Sequence, residues 1–229
     1  MITPRQTRLS MNKLFIVFNL KSYKTQDEAK VWIEEIGNID KALLQQKQVV
    51  VCPPFTLLSF FKTFFEKKGL NIKVGAQDVS PFDEGPYTGG VNAKQVKEFA
   101  TYVLIGHSER RNNFNETDEL LAKKVNLSLR YDLRPIYLVQ DKDTIIPSGV
   151  ELIAYEPIFA IGTSNPDTPE NADEVARAIK QKSSYQVLYG GSVTSLNVKD
   201  FTLMPNISGV LVGGASLDAK EFIKIIENA

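Results

Sequence analysis

Eight short runs rich in Val, Ile and Leu recur along the chain, most of them separated by polar segments of helical length. They are LFIVFNL (14–20), VVVCPP (49–54), NIKVGAQ (71–77), YVLIGH (102–107), RPIYLVQ (134–140), ELIAYEP (151–157), QVLYGG (186–191) and GVLVGG (209–214). Each is apolar almost throughout rather than alternating, as expected of strands buried on both faces of a parallel sheet. Between them, TQDEAKVWIEEI opens on a threonine N-cap and places apolar residues at helical spacing. ETDELLAKKVNLSL, TPENADEVARAI and LDAKEFIKIIENA repeat the pattern, and Pro169 follows a threonine cap, where proline forfeits no hydrogen bond. Alternating βα units imply an α/β fold. Eight such strands in 229 residues predict a single-domain (β/α)8 barrel over residues 11–229, with an open doubly wound sheet as the structural alternative. Residues 1–10 read as a flexible N-terminal extension.

One interval breaks the rhythm. Only ten residues, DKDTIIPSGV (141–150), join the fifth run to the sixth, and Pro147 and Gly149 oppose a helix there. Ten extended residues reach roughly 33 Å, whereas a strand is only about 17–20 Å long. An extended strap can therefore return the chain to the bottom of the barrel. The prediction is eight strands with seven flanking helices, the fifth helix being absent.

Composition excludes several function classes. Lys plus Arg equals Asp plus Glu at 27 each, so no global field favours nucleic acid or an anionic membrane. A single cysteine, Cys52, rules out an internal disulfide and a cysteine-based metal cluster, and a single histidine, His107, speaks against a zinc centre. Cys52 reads as a packed core thiol, and SFFKTFF (59–65) as one face of an amphipathic helix. No apolar run approaches the roughly 20 residues of a membrane span, and the N-terminus carries no signal-peptide core; a cytoplasmic enzyme without metal or cofactor is the expectation.

In such a barrel the chemistry sits where strands end and βα loops begin. Those junctions hold Asn19 and Lys21, His107 and Glu109, Glu156, Gly190, Gly191 and Ser192, and Gly213 and Gly214. Asn19 and Lys21 are two apart and share one face, and a lysine turned into a cavity needs an anion. Glu156 closes a buried strand, a setting that raises a carboxyl pKa and suits a base. The glycine pairs let backbone N–H groups approach a ligand closely, and GGASLDAKEF runs into a helix whose N-terminus favours phosphate.

FNLKSY, VVVCPPFT, GAQDVSPFDEGPYTGG, YVLIGHSERR, ELIAYEPIFAIGTSNPDTPE, VLYGGSV and GVLVGGASL, in that order, resemble the triosephosphate isomerase family from residue 15 to residue 217. The resemblance implies a TIM barrel and cofactor-free interconversion of dihydroxyacetone phosphate and glyceraldehyde 3-phosphate. It makes Glu156 the base, His107 a neutral electrophile and proton shuttle, as is established for that family, Lys21 and Asn19 the electrostatic and orienting groups, and Glu109 the partner near the lysine. Residues 157–169 would form a lid over the phosphate, including Pro157, Ile158, Phe159, Ala160, Ile161, Gly162 and Thr163. Gly162, Ser192, Gly213 and Gly214 would bind the phosphate, and Tyr189 with Ser192 would latch the lid. GAQDVSPFDEGPYTGG resembles the segment by which members dock on a second copy, so a homodimer is implied, with Thr88 carried towards the partner subunit's Asn19 and Lys21.

Several positions depart from the family pattern. NLKSY stands for the usual NWKMN, LVQD ends the fifth strand where a Cys-containing C-[IV]-G-E stretch is usual, and Gly90 replaces a glutamate. Ser164, Asn165, Pro166 and Asp167 replace Gly-Lys-Thr-Ala in the lid, with Pro166 restricting φ. A different phosphate-binding barrel isomerase gives no reason to combine GHSERR with AYEP. A catalytically silent barrel predicts loss of at least one of Asn19, Lys21, His107 and Glu156, and all four are present.

Overall fold

The structure, a computed structural model, describes residues 13–160 and 166–229. The extension expected over residues 1–10 lies outside the described residues, as do Ile161, Gly162 and Thr163 of the expected lid. Strands β1 (Leu14–Asn19), β2 (Lys47–Cys52), β3 (Ile72–Ala76) and β4 (Tyr102–Ile105) are followed by β5 (Arg134–Val139), β6 (Leu152–Tyr155), β7 (Gln186–Tyr189) and β8 (Gly209–Val212). They pair in sequence order, in parallel, and β8 closes on β1. The closed (β/α)8 barrel is therefore as predicted, and the open sheet is excluded.

Alternate residues of each strand explain the unbroken apolar runs. Phe15, Val17, Val50, Cys52, Leu104, Ile136, Leu138, Ala154, Leu188 and Leu211 fill the interior of the barrel. Ile16, Phe18, Val49, Val51, Val103, Ile105, Tyr137, Ile153, Val187 and Val210 point outward into the layer under the helices. Cys52 is fully buried, and a side chain on Gly75 would meet its sulfur at 2.6 Å, so the thiol fills the place of a β3 side chain. The seam between first and last strands is tight. Gly209 has φ +151°, and a Cβ there would stand 2.0 Å from Phe15 O, so only glycine closes the ring.

Helices cover the cylinder wherever the sequence alternates: α1 (Gln26–Ile36), α2 (Leu58–Lys68), α3 (Ala93–Lys97), α4 (Ser108–Asn113), α5 (Asp118–Arg130), α6 (Pro169–Lys180), α7 (Val198–Thr202) and α8 (Ala219–Asn228). Thr25 and Glu28 form a capping box on α1, and Thr168 caps α6 with Pro169 in its first turn. α2 buries Phe61 and Phe65 of the SFFKTFF face. Among the described residues no helix is long and apolar enough to cross a membrane.

The β5–β6 crossover carries no helix, as the spacing requires. Asp141 Oδ1 accepts from the N–H groups of Asp143 and Thr144 at 2.8 and 2.7 Å, turning the chain off the top of β5. Ile146 and the buried Val150 then join the outer layer with Tyr137 and Val139. The Arg111 guanidinium lies 5.9 Å from the centre of the Tyr137 ring and donates to its hydroxyl at 3.2 Å. Strap and arginine together cover what the missing helix would have covered. The expected number of seven helices needs correcting. Six of the seven crossovers are helical and α8 follows β8, but the β4–β5 crossover holds two helices. Short α4 stops where Arg110 and Arg111 reach forward to Glu116 and Asp118.

Candidate active site

The strand ends converge on one open cavity of about 580 Å³. Asn19, Lys21, His107, Glu156, Ser192, Gly213 and Gly214 all line it, with Ala160, Pro166, Gly190, Gly191, Thr194 and Asn197. Among the described residues, no three His, Cys, Asp or Glu side chains are grouped as metal ligands would be.

Asn19 ends β1 and is buried, and its Oδ1 accepts the Lys21 N–H at 2.9 Å. Lys21 holds φ +52°, a left-handed conformation that strains a non-glycine residue. Gln77, just beyond β3, fixes it: its Nε2 donates to Lys21 O at 2.8 Å and to Cys52 O at 2.9 Å. That bent backbone carries the ammonium over the cavity, 2.6 Å from Glu109 Oε1. Gly213 faces it, and a Cβ there would stand 3.2 Å from Lys21 Cε.

His107 leaves β4 as the N-cap of α4. Its Nδ1 accepts the Glu109 N–H at 3.2 Å. A ring nitrogen that accepts carries no proton, so the neutral imidazole bears its proton on Nε2. Nε2 lies 3.1 Å from Glu156 Oε1. Glu156 follows β6 and is 3% exposed. Burial pushes its carboxyl pKa up, against opposing pulls from His107 and the Ser108 N–H, which donates to Oε2 at 3.0 Å. A carboxylate of raised basicity, an imidazole N–H, an ammonium and a buried amide thus face one space, a set able to take a proton from carbon and polarise an adjacent carbonyl.

The segment after Glu156 is described on both sides of residues 161–165. Ile158–Ala160 form a 3-10 turn in which Ile158 and Phe159 are exposed and Ala160 is buried. Ser192 Oγ donates to Ala160 O at 2.8 Å, and the Asp167 N–H donates to Tyr189 Oη at 2.8 Å. Both residues expected as latches therefore touch this segment. Burial raises the Tyr189 phenol to about 12, which keeps it a neutral acceptor. Gly162 lies outside the described residues. Thr88 is exposed on the loop after β3 and does not line the cavity.

The residue matches and the geometry agree with what the chain resembles in sequence. The sequence model of the family described as triosephosphate isomerase matches residues 14–146 and 147–229. The chain belongs to the triosephosphate isomerase family. The triosephosphate isomerase of Dictyoglomus turgidum is 34% identical over 95% of this chain and all of the relative. That of Thermus thermophilus is 35% identical over 96% of the chain and all of the relative. That of Caldanaerobacter subterraneus is 37% identical over 94% of the chain and 99% of the relative. The two segments matched by the family's sequence model meet between Ile146 and Pro147, inside the strap, so the family pattern is interrupted where the fifth helix is lost.

Sequence reasoning missed four contributors. Ser108 supplies a main-chain donor to Glu156; its signal was the position after a histidine N-cap. Gln77 ends the third apolar run, a junction as informative as the others. The Asp167 side chain accepts from Tyr155 Oη at 3.2 Å and Asn171 Nδ2 at 2.7 Å. Asn197, which donates from Nδ2 to Ser192 O at 3.0 Å, has no local sequence signal, because only the closed fold brings it to the cavity.

Proposed function

We propose that this chain interconverts dihydroxyacetone phosphate and D-glyceraldehyde 3-phosphate through an enediolate, as a glycolytic and gluconeogenic isomerase, with Glu156 as the base. The observation that carries this reading is the Glu156 carboxylate opposed to His107 Nε2 at 3.1 Å on the wall that Lys21 also lines. Glu156 takes the proton alpha to the carbonyl and returns it to the neighbouring carbon. His107, with its proton on Nε2, donates to the carbonyl oxygen and moves protons between the two oxygens of the enediolate. Lys21 offsets the charge that develops there, Asn19 orients the substrate oxygen, and Glu109 holds the lysine. Such proton transfers need no cofactor. Ser192, Gly213 and Gly214, with Gly162, supply phosphate donors. Residues 157–169, latched through Tyr189 and Ser192, exclude water.

We read the working state as a cytoplasmic homodimer. The loop around Thr88 is exposed and carries Phe82 stacked on Tyr87 at 4.3 Å, and Tyr23 and Phe55 are also exposed; aromatic surface of this kind marks a contact with another protein. A coupled assay on glyceraldehyde 3-phosphate tests the activity: no turnover by pure protein overturns it. A light-scattering mass of one subunit overturns the dimer.

A further inference from the structure

The turn after β8 is tied to the first βα unit by three hydrogen bonds. This 3-10 turn spans Gly214–Leu217. Ser216 Oγ donates to Asn19 O at 2.8 Å, Trp32 Nε1 donates to Ser216 O at 3.1 Å, and Lys24 Nζ donates to Leu217 O at 2.9 Å. All three cross the seam where β1 meets β8. They come from an hydroxyl, an indole and an ammonium on separate parts of the chain.

None of the three is an incidental surface contact. Ser216 is fully buried and Trp32 is 3% exposed. The indole packs against Phe61 at 5.7 Å and meets Phe222 edge-on at 5.1 Å, so its N–H has no access to bulk water and needs an internal acceptor. Ser216 O is that acceptor. Lys24 holds φ +74°, which strains a lysine, and from that conformation its ammonium reaches the last residue of the turn. Two unusual features of the first helical unit, a buried indole within α1 and a left-handed lysine before it, thus converge on one short turn. The opposite side of that turn faces the cavity through Gly213, Gly214 and Ala215, with Gly213 against the Lys21 side chain.

We propose that Trp32 is a positioning residue for the phosphate turn, with Lys24 as its second tether. Trp32 holds Ser216, Ser216 holds the Asn19 carbonyl, and the N–H groups of Gly213 and Gly214 are thereby kept in register with Asn19 and Lys21. This inference rests on the phosphate reading above. Donors that must meet phosphate oxygens together lose affinity when their turn shifts by a fraction of an ångström. Trp32 touches no substrate; its effect passes through the main chain.

Trp32 is the only tryptophan in the chain, so its emission reports the turn directly. In the full chain, titration with inorganic phosphate should shift that emission, with the midpoint equal to the constant for competitive inhibition of isomerisation. Trp32→Phe keeps a ring between Phe61 and Phe222 and removes the N–H. It should raise the phosphate inhibition constant and the KM for glyceraldehyde 3-phosphate together by about three- to tenfold, as loss of one hydrogen bond implies, with kcat changed less. Lys24→Met should move the same constants in the same direction, and it carries the test if Trp32→Phe fails to fold. The proposal is overturned if phosphate inhibits the parent but leaves its emission unmoved, or if a folded variant binds phosphate as the parent does. If phosphate neither inhibits nor shifts the parent, the phosphate reading itself falls and takes this inference with it.

Discussion

Glu156 Oε1 stands 3.1 Å from His107 Nε2, and the next peptide along from the histidine, the Ser108 N–H, holds the other carboxylate oxygen at 3.0 Å. One strand end thus supplies both the imidazole beside the carboxylate proposed as the base and that carboxylate's anchor. The helix cap explains how. With Nδ1 engaged by the Glu109 N–H, the ring keeps Nε2 on the side of Glu156. Burial raises the basicity of the carboxylate while the Ser108 N–H keeps it in place. Basicity and position therefore arise from the same packing.

Shortening the base should separate chemistry from folding. Glu156→Asp withdraws the carboxylate by one methylene, about the misplacement that costs 10²-fold or more in rate, while leaving the fold intact. Steady-state kinetics of the purified variant, with circular dichroism as control, check this. Activity within a few-fold of the parent would remove Glu156 from the role of base.

Neutralising the same group should stabilise the fold. A carboxyl whose folded pKa is raised above its ordinary value of 4.5 favours the folded chain when protonated and disfavours it when ionised. Its contribution to stability therefore declines as pH rises from about 4.5 towards the raised folded value, and the loss persists above it. Glu156→Gln abolishes the ionisation and should be inactive, with a Tm above that of the parent at neutral pH. The gap should narrow as pH falls to 4.5. Melting curves that stay superimposed across this range would contradict a buried, destabilising charge.

Lys21→Met removes the ammonium but keeps the aliphatic stem beside Gly213. Loss of one preorganised charge from a partly enclosed site should lower kcat/KM by at least about 10². Stability should change by less than about 1 kcal/mol, because the pair with Glu109 is partly exposed to water. Urea titration and kinetics on the same preparation give both numbers. A large loss of stability would make Lys21 a structural residue rather than a functional one.

Much of this was legible because barrel topology ties function to strand ends. Asn19, Lys21, His107 and Glu156 sit where apolar runs stop, and the strap was fixed by counting ten residues against the reach of an extended chain. What could not be read were contacts made across the barrel. Gln77 holds Lys21 from beyond β3, two strands away from β1, and Asn197 reaches the cavity from the loop before α7. Gln77 does end an apolar run, but nothing local shows that it holds Lys21, and Asn197 does not differ from any polar loop residue. The first of the two helices in the β4–β5 crossover, α4, was also hidden, because GHSERR reads as a motif before it reads as a helix of six residues.

A buried ionic cluster beneath the exposed loop should dominate stability without entering the chemistry. Lys124, 2% exposed, bonds Asp78 Oδ1 at 2.6 Å and also Glu116, while Arg110 bridges the same two carboxylates. Lys124→Met leaves two buried anions with one cation, which should cost about 3–5 kcal/mol. Burial raises the Asp78 pKa, so the deficit should be largest at neutral pH and shrink in acid as Asp78 takes up a proton. Denaturant unfolding at two pH values measures it. A deficit that does not depend on pH would point to lost packing instead.

The strap offers the converse case, a site where stability changes and catalysis does not. Gly149 sits just before β6 at the bottom of the barrel, opposite the cavity, with φ +83°, and a Cβ there would stand 2.6 Å from Leu129 Cδ1. Gly149→Ala must therefore adopt a strained backbone and displace a packed leucine of α5. The two effects together should cost about 1–3 kcal/mol. The strain is far from Glu156 and His107, and the β6 ladder that carries Glu156 starts beyond it, at Leu152. The Tm should fall while kcat/KM at low temperature stays within a factor of about two. A parallel loss of activity would mean that the shortened crossover transmits its geometry along β6 to the base.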